Sequence, residues 1–241
     1  MTHPVTERPE GAPAGYQLRF PDSWWHLDLD PSTRDASIRR RIESQVKKAP
    51  QLTREQVDGL IRTTRRTARE AHAQGALRAS GMLRILKAGS GPLVLSATTV
   101  VLRMSVPEDQ SEDLADLVVA AGMQLGTEAE GTGLPPGEVE LVELPHVGAA
   151  GRISRIEEVD HQGTPVPTAV RHTLIPVPNS RDYLVLASST PNVDLAEQFY
   201  EVFDAIAESF RFEDPAGTSG AANPAAEAAG GSPMGEADKG K

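Results

Sequence analysis

Four strand-like runs follow one another in the second half of the chain: 138–144, 151–159, 169–177 and 182–189. The connections between them are short and rich in turn-forming residues, as in His161-Gln162-Gly163-Thr164-Pro165 and Pro178-Asn179-Ser180-Arg181. A tight turn can deliver only an antiparallel neighbour, because a parallel one needs a crossover of a dozen or more residues. This spacing therefore predicts an antiparallel meander. The segment after it opens with Thr190-Pro191, which reads as a cap with Pro in the first turn. It continues with Leu195, Ala196, Phe199, Val202, Phe203, Ile206 and Phe210 on one stripe, wide enough to cover a sheet face.

The first half adds strands and helices. Tyr16, Leu18 and Phe20 alternate, as do Trp25, Leu27 and Leu29, with Pro21-Asp22-Ser23 between them, so an N-terminal hairpin is predicted. Asp30-Pro31 reads as the cap and first position of a helix carrying Ile38, Ile42, Val46 and Ala49, stopped by Pro50. Thr53 and Gln56 form a capping box for a second helix with Val57, Leu60, Ile61, Thr64, Ala68 and Ala71 on its apolar face, ending near Gly75. Strands follow at 82–87 and 93–106, the latter β-branched and stopped by Pro107. Ser111 caps a short helix closed by Gly122, and 126–137 reads as a loop. The fold class is α+β: an antiparallel sheet flanked by helices in an α/β/α sandwich, with an N-terminal hairpin and a long C-terminal helix on the sheet. The domain spans 15–213 and contains a basic helical pair at 30–75. Residues 1–14 and the Ala/Gly/Pro-rich tail 214–241 bury too little apolar surface to hold a fold and read as disordered.

Charge is unevenly placed. Residues 34–87 hold 14 basic and 5 acidic side chains inside a chain of net charge −10. The overall balance argues against nucleic acid as a partner of the whole chain. The local surplus points to an acidic protein partner, with nucleic acid or an anionic surface as the alternative. The candidate partner-binding residues are Arg40, Arg41, Arg62, Arg65, Arg66 and Arg69 on the helices, together with Trp24 and Trp25. Adjacent strand residues face opposite sides, so one Trp faces the core and the other is a binding anchor.

The motifs that would carry chemistry fail on spacing. There is no cysteine, which removes disulfides, thiolate metal sites and thiol nucleophiles. Gly89-Ser90-Gly91 lacks the five-residue pattern of a nucleophile elbow. Asp28, Asp30 and Asp35 suggest an acidic metal loop, but counted from Asp28 the sixth and twelfth positions hold Thr33 and Arg39 where a calcium loop needs Gly and Glu. His146, His161 and His172 are scattered without zinc spacing and read as surface or turn histidines. Neither Gly122–Gly126 nor Gly131-Thr132-Gly133 has phosphate-loop context. No metal, cofactor or catalytic set is expected, and the function read here is non-enzymatic; an enzyme with an unrecognised site is the alternative. No run is long and apolar enough for a membrane span, and the first residues lack a signal-peptide core, so a cytoplasmic location is expected.

Pro21 and Trp24 early, with Ile206, Ser209 and Phe210 at the end, resemble the short structural motifs of the PsbP-like fold family and its LpqN-like actinobacterial members. The resemblance implies a binding module, adaptor or chaperone-like, without a shared catalytic set. By analogy it implies an accessory of an actinobacterial secretion or injection apparatus.

Overall fold

The computed structural model describes residues 13–47, 52–88, 91–129, 137–161 and 164–213. The tail at 214–241, most of the N-terminal segment, the Pro50 stop, the Ser90 turn and the Gly131–Gly133 loop lie outside the described residues.

In chain order the elements are β1 (Gly15–Gln17), β2 (Trp24–His26), α1 (Arg34–Val46), α2 (Arg54–Ala73), β3 (Arg78–Ala88), β4 (Gly91–Ser105), α3 (Leu114–Ala129), β5 (Glu138–Leu144), β6 (Gly148–His161), β7 (Thr164–Pro176), β8 (Asp182–Thr190), a 3-10 turn (Val193–Leu195), α4 (Ala196–Glu208) and β9 (Arg211–Glu213). Strands β2 to β8 form one seven-stranded sheet in the order β2-β3-β4-β8-β7-β6-β5. Every neighbouring pair is antiparallel. The predicted α+β class with helices against an antiparallel sheet is the observed one. The chain leaves β4, makes α3, starts again at the far edge with β5, and returns strand by strand until β8 lies against β4.

The two faces of the sheet are covered differently. On one, α4 seats Phe199, Phe203, Ile206 and Ala207 against Ala97, Val101, Ala169, Ile175 and Leu186. Burying each large side chain there contributes roughly 1.5–3 kcal/mol. On the other face α1 and α2 lie over β2 and β3, with Ile38, Ile42, Ile61 and Ala68 against Leu27, Ala79 and Leu83. Helix α3 covers the opposite end of that face, where Leu114 and Leu117 meet Leu174 and Tyr183. Between α2 and α3 a strip of the sheet is left open.

Several local expectations are corrected. The N-terminal hairpin does not form: β1 pairs with β9, Tyr16 opposite Phe212, while β2 pairs with β3, Trp24 opposite Met82. Alternation marks strands without choosing partners, and here Tyr16 stacks on Phe210 at 5.6 Å. Ser209 completes this join: its hydroxyl accepts from the Arg19 N–H at 2.9 Å and donates to the Ile206 carbonyl at 2.6 Å.

Helix α1 starts at Arg34, not at Pro31. The Asp30 carboxylate accepts from the Ser32 N–H (2.7 Å) and hydroxyl (2.6 Å), so it closes a turn ahead of the helix. That bonding holds its pKa below the usual carboxylate value. Asp28 accepts from the Asp30 N–H at 3.0 Å and the Thr33 hydroxyl at 2.7 Å. The capping box of α2 is present as read: Thr53 Oγ1 accepts from the Gln56 N–H at 3.2 Å and Gln56 Oε1 from the Thr53 N–H at 2.9 Å. Gly75, at φ +73°, turns the chain out of α2.

Strand β3 begins four residues before the predicted 82. Helix α3 passes through Gly122 and ends at Ala129 rather than stopping at the glycine. Two glycines, Gly122 and Gly126, fall inside it, so the loop expected from 126 does not begin there; each costs a helix about 1 kcal/mol relative to Ala, a penalty that tertiary context overrides. Its first turn is held by Asp113, which accepts from the Ala115 N–H at 2.8 Å.

Thr190 does not cap α4. Its buried hydroxyl donates to the Ser96 carbonyl at 2.7 Å and accepts from the Asn192 N–H at 3.1 Å, and the 3-10 turn precedes the helix.

Candidate binding cleft

The residues singled out in the sequence do not form one surface. Trp24 is buried in the α4 core, 5.5 Å from the Phe20 ring and 6.5 Å from Phe203, and has no face free for a partner. Trp25 is half-buried on the opposite side of the sheet, under the Arg41 guanidinium at 5.2 Å.

Of the six arginines, three are held within the molecule. Arg65 donates from α2 to the main-chain carbonyl of Asp35 in α1, at 3.1 Å through Nε and 2.5 Å through Nη2. Arg69 meets the Asp35 carboxylate at 2.7 Å and, chiefly through that bond, lowers its pKa. Arg66 pairs with Glu70 at 2.7 Å and lies 3.7 Å from Asp160 on β6. Arg40, Arg41 and Arg62 are exposed, with no carboxylate partner among the described residues.

The structure also contains a site that the sequence reading missed. Beneath α2, over the open strip of sheet, lies a cleft of about 580 Å³. Its floor is Val100 and Leu102 from β4, Ala187 from β8, and Val170 from β7. Thr64, Thr67 and Ala71 of α2 form one wall, and Glu157, Val159 and Asp160 of β6 form the far rim. The Arg66–Asp160 contact crosses from α2 to that rim. Trp25 lines the inner end, which is the one place where a sequence-chosen aromatic meets the cleft. A second hollow of about 360 Å³, lined by Leu52, Gln56, Leu60, Arg62 and Val94, continues along α2 and shares Leu60, Thr63 and Val94 with the first.

Most polar groups of the cleft are already satisfied. The Thr98 and Ser189 hydroxyls bond each other at 3.0 Å, Thr64 donates to the Leu60 carbonyl at 2.9 Å, and Thr168 donates to the Val166 carbonyl at 3.1 Å. Thr67 and His172 have no hydrogen-bond partner among the described residues. The His172 pKa is pushed below the ordinary histidine value, first by loss of water around the ring and then by the Arg155 charge, against a smaller opposing effect of Glu157. The imidazole is therefore neutral near pH 7. His172 had read as a surface or turn residue, but it sits on β7 facing the cleft. The period-2 pattern Val170, His172, Leu174 could have placed it with the apolar side of β7.

Among the described residues no three His, Asp or Glu side chains are grouped to hold a metal ion, and no helix is long and apolar enough to cross a membrane.

No family model and no curated protein matches this chain. Among solved structures the chain is similar to the crystal structure of LpqN, involved in cell envelope biogenesis of Mycobacterium tuberculosis, at a TM-score of 0.40 and 13% identity over 84% of this chain and 85% of that one. A likeness at that level carries no argument about what this chain binds. No family match stands behind the PsbP-like resemblance drawn from Pro21, Trp24, Ile206, Ser209 and Phe210.

Proposed function

We propose that this protein is a non-enzymatic binding module that takes its ligand in the cleft between α2 and the sheet. The observation that carries the reading is the cleft itself. Its volume falls within the range of about 300–1,000 Å³ typical of ligand pockets, its floor is aliphatic, and polar side chains without a partner among the described residues, Thr67 and His172 among them, are left for an occupant. Adaptor or chaperone-like work beside a secretion or injection apparatus, and a cytoplasmic location, rest on the sequence resemblance and composition alone.

The test is native mass spectrometry of the full-length chain purified from its host. A bound mass should be present in the wild type. It should be lost when the cleft is filled from the floor by Ala187→Phe or from the helix by Thr67→Phe. A bound species retained in both variants would contradict the reading.

A second reading is supported by Arg40, Arg41 and Arg62, which reach solvent without a carboxylate. They suit an acidic protein partner on the outer face of α1 and α2. Reversing these three charges should abolish capture of such a partner and leave the melting temperature unchanged. Retardation of DNA or RNA with steep salt dependence would instead assign the surface to nucleic acid.

A further inference from the structure

We propose that the cleft under α2 selects an uncharged, mainly apolar small molecule carrying one hydrogen-bonding group for His172. This rests on the reading of the cleft as the binding site and adds the class of ligand.

Charge is the first argument. The one cation among the described residues that line the cleft, Arg66, is already engaged, with Glu70 at 2.7 Å and Asp160 at 3.7 Å, and Glu157 is paired with Arg155 at 2.7 Å. Glu70, Glu157 and Asp160 line the cleft against the single guanidinium of Arg66, so its lining is negative by two charges. An anion would have to break one of these pairs to find a partner. A cation would find its carboxylates only at the rim, above a floor of Val100, Leu102, Val170 and Ala187 that offers it none.

His172 is the second argument. A neutral imidazole presents one N–H donor and one bare nitrogen acceptor. With neither engaged by the protein, it can bond a hydroxyl, amide or carbonyl without any ion being buried. Thr67 on the facing helix offers a second polar group, a hydroxyl, from the other wall. An apolar body fits the floor, and one polar group fits the histidine.

Phenylnaphthylamine and anilinonaphthalene sulfonate share one ring frame and differ by the sulfonate, so they separate shape from charge. With the full-length chain, the uncharged probe should give saturable, one-site fluorescence enhancement, and the sulfonated probe should bind about tenfold more weakly or worse. Ala187→Phe and Thr67→Phe should each remove the uncharged probe's site while unfolding stays cooperative. His172→Leu should weaken that probe about fivefold, the loss of one hydrogen bond, and leave phenylnaphthalene, which lacks the N–H, unaffected. Equal or tighter binding of the sulfonated probe would overturn the proposal, as would uncharged-probe binding indifferent to both fillings. If the uncharged probe fails to bind while a native ligand is still lost in Ala187→Phe, the ligand class is wrong and the cleft reading stands. If neither filling changes either readout, both fall.

Discussion

Arg65 of α2 places two N–H groups on the Asp35 carbonyl of α1, at 3.1 and 2.5 Å. That contact ties the two helices together, and it gives the basic surface a structural share that the sequence did not separate from binding. Arg65→Ala should lower stability by about 1.5–3 kcal/mol, the usual worth of a charge-assisted hydrogen bond, measured by urea denaturation. Arg62→Ala, one turn away and exposed, should leave the midpoint unchanged. Equal effects of the two substitutions would sink the assignment.

Asn192 stands in for a missing strand. Where β8 ends, its side chain accepts from the Ser96 N–H at 3.0 Å and donates to the Val94 carbonyl at 2.9 Å, continuing the ladder along β4. Asn192→Ala should cost about 1–3 kcal/mol by leaving these main-chain groups unpaired. Amide exchange should accelerate at Ser96 before the rest of β4. Uniform exchange across the strand would show that the side chain does not carry the ladder.

His172 makes stability fall in acid. Above its ordinary value of about 6.5, folded and unfolded chains both hold it neutral and it contributes no pH dependence. Below that value the unfolded chain takes up a proton that the half-buried ring, with its lowered pKa, does not. Protons then bind the unfolded state more, so stability declines as pH drops from the unfolded value toward the folded one, and levels off below it. His172→Leu should flatten this part of the pH–stability curve. An unchanged slope in the variant would assign the acid sensitivity to other groups.

How much of this was legible in the sequence follows from the range of each interaction. The α2 capping box, the turn at Asn179 and the strands from 138 to 190 depend on neighbours in sequence, and they were readable from residue type. The antiparallel neighbours of the β5–β8 meander were readable too, from its short turns, but distant partners were not, because β1 finds β9 and β4 finds β8 far apart in the chain. The pattern Tyr16, Leu18, Phe20 is the same whichever strand it meets. The cleft was invisible for the same reason. Thr67, Val100, His172 and Ala187 come from four separate stretches and meet only once β8 is inserted between β4 and β7. The arginines misled in a different way: one run of positive charge divides into Arg65 and Arg69, spent on Asp35, and Arg40 and Arg62, facing solvent.

The cleft is the central claim, and amide chemical-shift mapping of the full-length chain titrated with phenylnaphthylamine tests it most directly. Shifts should be confined to Thr64, Thr67, Thr98, Val100, Val170, His172 and Ala187, and should saturate together at one equivalent. Shifts centred on the α4 face or on the exposed leucines Leu86 and Leu93, with the cleft residues unmoved, would contradict it.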